Sequence, residues 1–354
     1  MNASTRSNWL LYGAYGGTGR LVLEEALRRG HRPVLGGRDG ARLAVLGQAH
    51  GLKTLSLPLD NAAALRAALS TVSTVLNAAG PFAVTGPQMR AACLAAGCSY
   101  IDVSGEIDDF EAALACDDMA HRAGIAIIPG AGYGVVFAES LAGHLSRRLP
   151  DATWLRLSLD TQTTGRSRGA LLSVASAIAS GGREMHENRL RRRAFGFSMW
   201  RAPDPGAGKV NFAAAPMAEL VAAQRSTGIP NIVAGIPLSR AAATVMRLAG
   251  PLLARLIRWQ AARAPRANSA GASDATSATL RSRVWGEVGN AAGIIEAAML
   301  ETGEGYRSAA VVAVRAIELQ MSAPRVGALT PAQAFGADFA LLAPGTRIQA
   351  LSRA

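Results

Sequence analysis

Between an apolar run at 9–12 and a helical pattern from Arg20 stand Gly13, Ala14, Tyr15, Gly16, Gly17, Thr18 and Gly19, and this G-x-x-G-x-x-G turn constrains the fold more than any other feature. A strand passing into a helix through such a turn can bring its backbone against a dinucleotide pyrophosphate. Gly13 can permit the tight turn, Gly16 the close approach of the backbone, and Gly19 the packing of helix on strand. The helix start then offers unpaired N–H groups and a positive dipole end to phosphate. Gly13, Tyr15, Gly16, Gly17, Thr18 and Gly19 are therefore candidate cofactor-binding residues. The rhythm continues with apolar strands expected at 33–35, 54–57, 74–76, 100–103 and 125–128. Helical patterns alternate with them at 20–29, 41–50, 62–69, 87–96 and 108–123. Repeated βαβ units indicate a parallel sheet buried on both faces, and right-handed crossovers make it a doubly wound Rossmann sheet.

After Gly134 the pattern changes. Strands are expected at 153–160, 210–213, 229–236, 282–288 and 294–300, with helices at 171–180 and 307–321. Strands grouped this way indicate a second, α+β domain. The stretch 264–278, rich in Ala and Ser and without periodicity, reads as a loop.

The second strand's end reports which dinucleotide fits. An acid there suits the ribose 2′-hydroxyl of NAD, an arginine the 2′-phosphate of NADP. The chain has Gly36, Gly37, Arg38 and Asp39, with Arg42 one turn on, so NADP(H) is the expected cofactor and Arg38 and Arg42 its phosphate ligands. Asp39 fits the N-cap of the next helix. Asp60, expected to close the third strand, can accept from an adenine amino group or cap the helix that follows. Asn77, Ala78, Ala79, Gly80, Pro81 and Phe82 follow the fourth strand, where small residues let a nicotinamide lie against the backbone.

Hydride transfer usually needs a proton source opposite the cofactor. Tyr100, Asp102, Ser104, Glu106 and Tyr133 fall near the expected nicotinamide end. Ser104 is grouped with the cofactor ligands. Tyr133 is the first candidate proton donor, since a phenol can donate at neutral pH, and Glu106 and Asp102 can orient it or bind a polar substrate group. Capping or sheet-edge hydrogen bonding would account for each equally well. The Tyr-x-x-x-Lys pair of short-chain dehydrogenases is absent, because Lys53 and Lys209 are preceded four positions earlier by Ala49 and Pro205.

The run from Tyr12 to Arg20, the Gly36-Gly37-Arg38 turn, the Asn77 to Phe82 loop, and Tyr100-Ile101-Asp102-Val103-Ser104-Gly105-Glu106 resemble the saccharopine dehydrogenase-like NADP-binding oxidoreductase family. The branch most similar includes the bacterial trans-acting enoyl reductases. The resemblance continues through Ser226-Thr227-Gly228-Ile229-Pro230-Asn231, Val284-Trp285-Gly286-Glu287-Val288, and the stretch beginning Thr330-Pro331-Ala332-Gln333. It implies NADPH-dependent reduction by an NADP-binding Rossmann domain at 1–133 and an α+β substrate or dimerisation domain at 134–321. It also implies a C-terminal segment, 322–354, returning to the first domain. One departure stands out. The family pattern Gly-Phe-Asp-x-x-Pro-x-Asp reads here Gly132-Tyr133-Gly134-Val135-Val136-Phe137-Ala138-Glu139, without the first acid and the proline. A changed substrate or lost activity would follow if that loop binds substrate.

Composition sets the remaining bounds. A length of 354 residues suits two domains. The formal charge of +12 comes almost wholly from dispersed arginine. The dense group Arg189, Arg191, Arg192 and Arg193 lacks interleaved aromatic residues and reads as a solvated face or turn, so no nucleic-acid partner is expected. The 3 cysteines and 5 histidines show no metal-ligand spacing, so no metal is expected. No signal pattern or long apolar run appears, and a cytoplasmic protein is the expectation. The stretch 235–263 is apolar but carries Arg240, Arg247, Arg255, Arg258 and Arg263, with Pro251 expected to split it into two short helices. It can cover the second domain, make a homodimer contact, or face lipid. The favoured function is an NADPH-dependent reductase of a C=C (enoyl) or C=N bond in a small-molecule or acyl intermediate. A non-enzymatic NADP-binding regulator and a lipid-associated reductase are the alternatives.

Overall fold

The structure is a computed structural model that describes residues 8–163, 175, 177–204, 208–263 and 279–351. Its contacts form two compact units. One holds the chain up to Ser104, Asp108–Tyr133 and Tyr306–Gly336; the other holds Gly105–Ile107, Gly134–Gly305 and the chain from Ala337 onward.

In the first unit the elements run β1 Trp9–Tyr12, α1 Gly17–Arg28, β2 Val34–Gly37, α2 Gly40–His50, β3 Thr54–Ser56 and α3 Ala62–Leu69. They continue with β4 Thr74–Asn77, α4 Phe82–Ala96, β5 Ser99–Asp102, α5 Ile107–Leu114, α6 Asp117–Ala123 and β6 Ala126–Ile128. The strands form one sheet in the order Gly327–Ala328, β6, β5, β4, β1, β2, β3. Every pairing in it is parallel. All four residues of β1, β2, β4 and β5 are buried, as a sheet covered on both faces requires. The strand order reverses between β1 and β4, which opens a crevice at their carboxyl ends.

Several local expectations change. The helix expected from 87 begins at Phe82 and carries Pro87 inside it. The helix expected over 108–123 is two, α5 and α6, because Asp117 and Asp118 start a new helix where acids complement its dipole. Asp117 also accepts from the Ala328 N–H at 2.7 Å, tying α6 to the added strand. The chain's return begins with the helix Gly305–Ser322, ahead of the expected boundary at 322, and it ends at Gly336: the expected segment's last part belongs to the second unit, where Arg347–Ala350 adds a strand beside Ile295–Thr302. In the helix Gly305–Ser322 the Glu318 carboxylate accepts two 2.7 Å bonds from Arg29, one of 2.9 Å from Arg315, and faces His31 at 3.0 Å. Burial opposes its charge, yet these three partners hold its pKa at about 2.

The second unit is built on a nine-stranded mixed sheet. Its main path is Met199–Asp204, Gly208–Ala214, Asn231–Pro237, Trp154–Asp160, Ser282–Gly289, Ile295–Thr302 and Arg347–Ala350. Among the described strands only the pairing of Asn231–Pro237 with Trp154–Asp160 is parallel. On one face Gly286 makes room for Leu141 and Leu145 of the helix Tyr133–Arg148. On the other, Trp200 stacks on Phe212 with centroids 6.3 Å apart, and Phe212 packs tilted against Trp285 at 5.3 Å.

The arginine run is a strand, Arg189–Arg193, rather than a turn. It pairs with Gly182–His186 across Glu187 and Asn188, both at positive φ, the backbone of a tight type I′ hairpin. Its arginines stay solvated, two of them paired to Glu184 and Glu187. Pro251 does not split the stretch 235–263, since one helix runs over Arg240–Arg263. An interior proline costs about 3 kcal/mol, and the packed face of this long helix offsets it. Half of the helix expected at 171–180 and the whole loop at 264–278 lie outside the described residues.

Candidate dinucleotide site

The glycine turn has the geometry its spacing implies. Gly13 takes φ +83°, and a side chain there would press within 2.9 Å of the Ala79 Cβ. Gly19 has no room for a Cβ against the Gly13 carbonyl oxygen. Gly13 donates to the Gly36 carbonyl at 2.8 Å and Gly16 to the Gly13 carbonyl at 2.9 Å, so the turn is fixed by its own backbone. At the start of α1, Gly16 is the N-cap; no side chain caps the helix and no acid lies in its first turn. That leaves an anion-receptive helix end beside the β1–β4 crevice.

Tyr15 joins this turn to the β2 end. Its hydroxyl accepts from the Arg38 and Asp39 N–H groups, both at 3.2 Å. The Arg42 guanidinium lies 4.6 Å from the Tyr15 ring centroid and reaches the Tyr15 carbonyl at 3.4 Å. The Asp39 carboxylate accepts from the Arg42 N–H at 3.1 Å as the α2 N-cap. Arg38 is exposed, and its guanidinium makes no hydrogen bond or ion pair to another described residue. Gly17 and Thr18 sit half-buried in the first turn of α1. Asp60 does not close β3, which ends at Ser56, and the α3 cap is Asn61, whose side chain accepts from the Ala64 N–H at 3.0 Å. Asp60 stays exposed.

Beneath the β4 and β5 ends lies a buried polar chain. Asn77 accepts from the Ala79 N–H at 3.0 Å and donates toward Thr85 and Tyr100, both at 3.3 Å. Asn77 thereby shapes the loop of Ala78, Ala79, Gly80 and Pro81, while Phe82 opens α4 with its side chain buried. The Tyr100 hydroxyl donates to Asp102 at 2.7 Å, and the Ser104 and Gly130 N–H groups donate to the other Asp102 oxygen at 2.8 Å. Burial, then the nearby Asp109, push the Asp102 pKa up to about 6 against these donors. Asp109 itself is paired with Arg90 at 2.8 and 3.1 Å, both side chains almost fully buried. Tyr133 is buried at the start of the helix Tyr133–Arg148, and Glu106 is half-buried just before α5.

Two features were not visible in the residue pattern. Glu219 is buried in the second unit against Gly134, where a Cβ would collide with its carboxyl. One of its oxygens has no hydrogen-bond partner, and burial pushes its pKa up to about 7. The nearest sequence signal is the missing side chain at Gly134. The second feature is a cavity of about 440 Å³ on the tryptophan-bearing sheet face, lined by Arg156, Trp200, Trp285 and Glu287 among others. None of the sequence-predicted site residues lines it.

Four similarities to known proteins bear on this site. Residues 9–128 match the family model described as the saccharopine dehydrogenase NADP binding domain. A saccharopine dehydrogenase-like oxidoreductase of Arabidopsis thaliana, named as mitochondrial, is 27% identical over 210 residues, 52% of this chain and 46% of that protein. A Mycobacterium tuberculosis protein whose name assigns it as a trans-acting enoyl reductase is 35% identical over 104 residues, 27% of this chain and 25% of that protein. The matches thus span less than half the length of either relative. Among solved structures, the apo saccharopine dehydrogenase (L-Glu forming) from Saccharomyces cerevisiae superposes with a TM-score of 0.62 at 12% identity, covering 98% of this chain and 100% of that one. At that identity the likeness is one of fold.

Proposed function

We propose, on the premise that residues 9–128 belong to the saccharopine dehydrogenase NADP-binding domain family, that this chain is an NADPH-dependent oxidoreductase reducing a C=C (enoyl) or C=N bond of a small-molecule or acyl intermediate. The observation that carries the reading is the uncapped start of α1 beside the Gly13 turn, with exposed Arg38 at the end of β2. The residues present fit the dinucleotide. The α1 N–H groups would take its pyrophosphate, and Arg38 and Arg42 the 2′-phosphate. Asp60 is left exposed for the adenine edge. Ala78, Ala79, Gly80, Pro81 and Ser104 would line the nicotinamide end.

When bound, the cofactor supplies the hydride. The protein's part is orientation and a proton. Tyr133 is the proposed donor of that proton from its phenol oxygen. Asp102, satisfied by three donors of its own, is a positioning residue for the β5 end. Glu106, half-buried, is proposed to bind a polar substrate group. The name of the mycobacterial relative favours the C=C alternative.

The test is consumption of NADPH with enoyl thioesters and cyclic imines as acceptors. The reading expects turnover with one class, and a loss of roughly a hundredfold or more in kcat for Tyr133→Phe with NADPH binding retained. Bound NADPH that no acceptor oxidises would favour the non-enzymatic regulator instead.

A further inference from the structure

Of the chain's 5 tryptophans, Trp154, Trp200 and Trp285 gather on one face of the second unit's sheet. Ser158 stands opposite Trp285 and Arg156 opposite Glu287, with Ala297 opposite Glu287 on the next strand, so these side chains share that face. Two glycines make room for the rings. A Cβ at Gly235 would lie 2.5 Å from the Trp200 indole, and one at Gly289 2.5 Å from that of Trp154. The Trp200 Nε1 donates to the Ser158 hydroxyl, which holds the ring in place. The Arg156 guanidinium stands 5.6 Å from the ring centroids of both Trp154 and Trp200. Among these groups opens the cavity of about 440 Å³, within the range of about 300–1,000 Å³ that small-molecule sites occupy.

The polar groups of the cavity are unbalanced in one direction. Arg156 donates to Glu287 at 3.0 Å through one terminal nitrogen, while its Nε has no hydrogen-bond partner among the described residues. Trp285 is 2% exposed, and its Nε1 has no such partner either. Both atoms can only donate, and buried polar atoms are ordinarily bonded. The two carboxylates of the lining are already met, Glu287 by Arg156 and Glu296 by Arg148 at 2.8 Å. An ammonium ligand would have to take one of them from its arginine, whereas an anion meets spare donors. The Arg156 side chain is 35% exposed, which leaves it within reach of a ligand.

We propose that this cavity binds a small aromatic carboxylate, its ring stacked on the indoles and its carboxylate on the Arg156 guanidinium and the Trp285 Nε1. A planar guanidinium suits a carboxylate, and indole faces suit a flat apolar ring. No residue proposed to hold the dinucleotide or to supply the proton lines the cavity, so this site stands apart from that reading.

The experiment is a ligand-observed NMR titration of the full chain, without nucleotide, by phenylacetate and 2-naphthoate, each beside its primary amide, and by phenethylamine. The expected result is saturable binding of at least one acid, about tenfold or more tighter than its amide, and none of the amine. Arg156→Gln should weaken the acid about tenfold or more, and Trp285→Phe, which keeps a ring and removes the N–H, about threefold or more. Ala297→Phe fills the cavity without touching a donor and should abolish binding. Arg66→Gln removes an exposed charge of the first unit and should change nothing. Unchanged circular dichroism and melting temperature confirm that each variant is folded. Absence of saturable binding by both acids would overturn the proposal, as would equal binding of acid and amide or preference for the amine. Equal weakening by Arg156→Gln and Arg66→Gln would reduce the binding to net charge, and full binding by Ala297→Phe would put the acid elsewhere; either overturns it. A dimer in light scattering that Ala297→Phe splits would overturn it too, since a second copy would then fill the cavity.

Discussion

In the first unit Asp102 meets the Tyr100 hydroxyl and the Ser104 and Gly130 N–H groups, and Asp109 meets both Arg90 nitrogens, whereas in the second unit Glu219 keeps one oxygen without a partner. All three carboxylates are buried, so burial alone does not separate them. The difference is in the neighbours. The dinucleotide domain surrounds these two buried carboxylates with donors, and at its carboxyl rim Arg38 and the start of α1 face outward. A fully satisfied network fixes one geometry, which suits loops that must hold a cofactor in place. A buried carboxyl with one oxygen left without a donor instead favours its neutral form.

The largest effect that would break this comparison lies at the paired site. Asp109→Ala leaves Arg90 buried and unpaired and should cost about 3–5 kcal/mol in urea unfolding. A loss under 1 kcal/mol would mean the pair is solvated in solution. Next comes Glu219. Its pKa is near 7 in the fold and in the ordinary carboxylate range when unfolded. The fold binds the proton more tightly, so this contribution is intact below the unfolded pKa and is lost as pH rises through about 7. Between pH 5 and pH 8 the wild type should therefore lose stability that Glu219→Gln keeps, on the order of 3 kcal/mol. Parallel pH profiles would show that Glu219 has a partner after all.

At the rim, Arg38→Ala should weaken NADPH binding about ten- to a hundredfold and leave NADH nearly unchanged, since a bond to a charged group contributes about 1.5–3 kcal/mol. Equal losses for both would remove Arg38 from the phosphate site. The smallest effect is at Tyr100→Phe, which deletes one donor to Asp102 and should cost about 1–2 kcal/mol. No change in stability would mean that the Asp102 network is held by its backbone donors alone.

The parallel sheet was readable because its strands are continuous apolar runs and its helices amphipathic, and the glycine turn because backbone sterics demand glycine at Gly13 and Gly19. The second unit was less so. Its hairpin turns at Glu187 and Asn188, which carry none of the Asn-Gly signal of such turns, and its strand of arginines has no apolar face to mark it. The helix through Pro251 depended on packing that a local pattern does not report. Asp60 was expected to close β3 and either accept from adenine or cap α3, because spacing does not separate it from Asn61. Glu219 was hidden because its first-turn position reads as ordinary helix chemistry, while its approach to Gly134 is a tertiary contact.

The central claim is that the Gly13 turn and Arg38 build an NADP site, and a fluorescence titration of the purified chain with NADPH and NADH tests it most directly. NADPH should bind saturably and at least about tenfold tighter than NADH. Equal affinity for the two, or no binding of either, would contradict it.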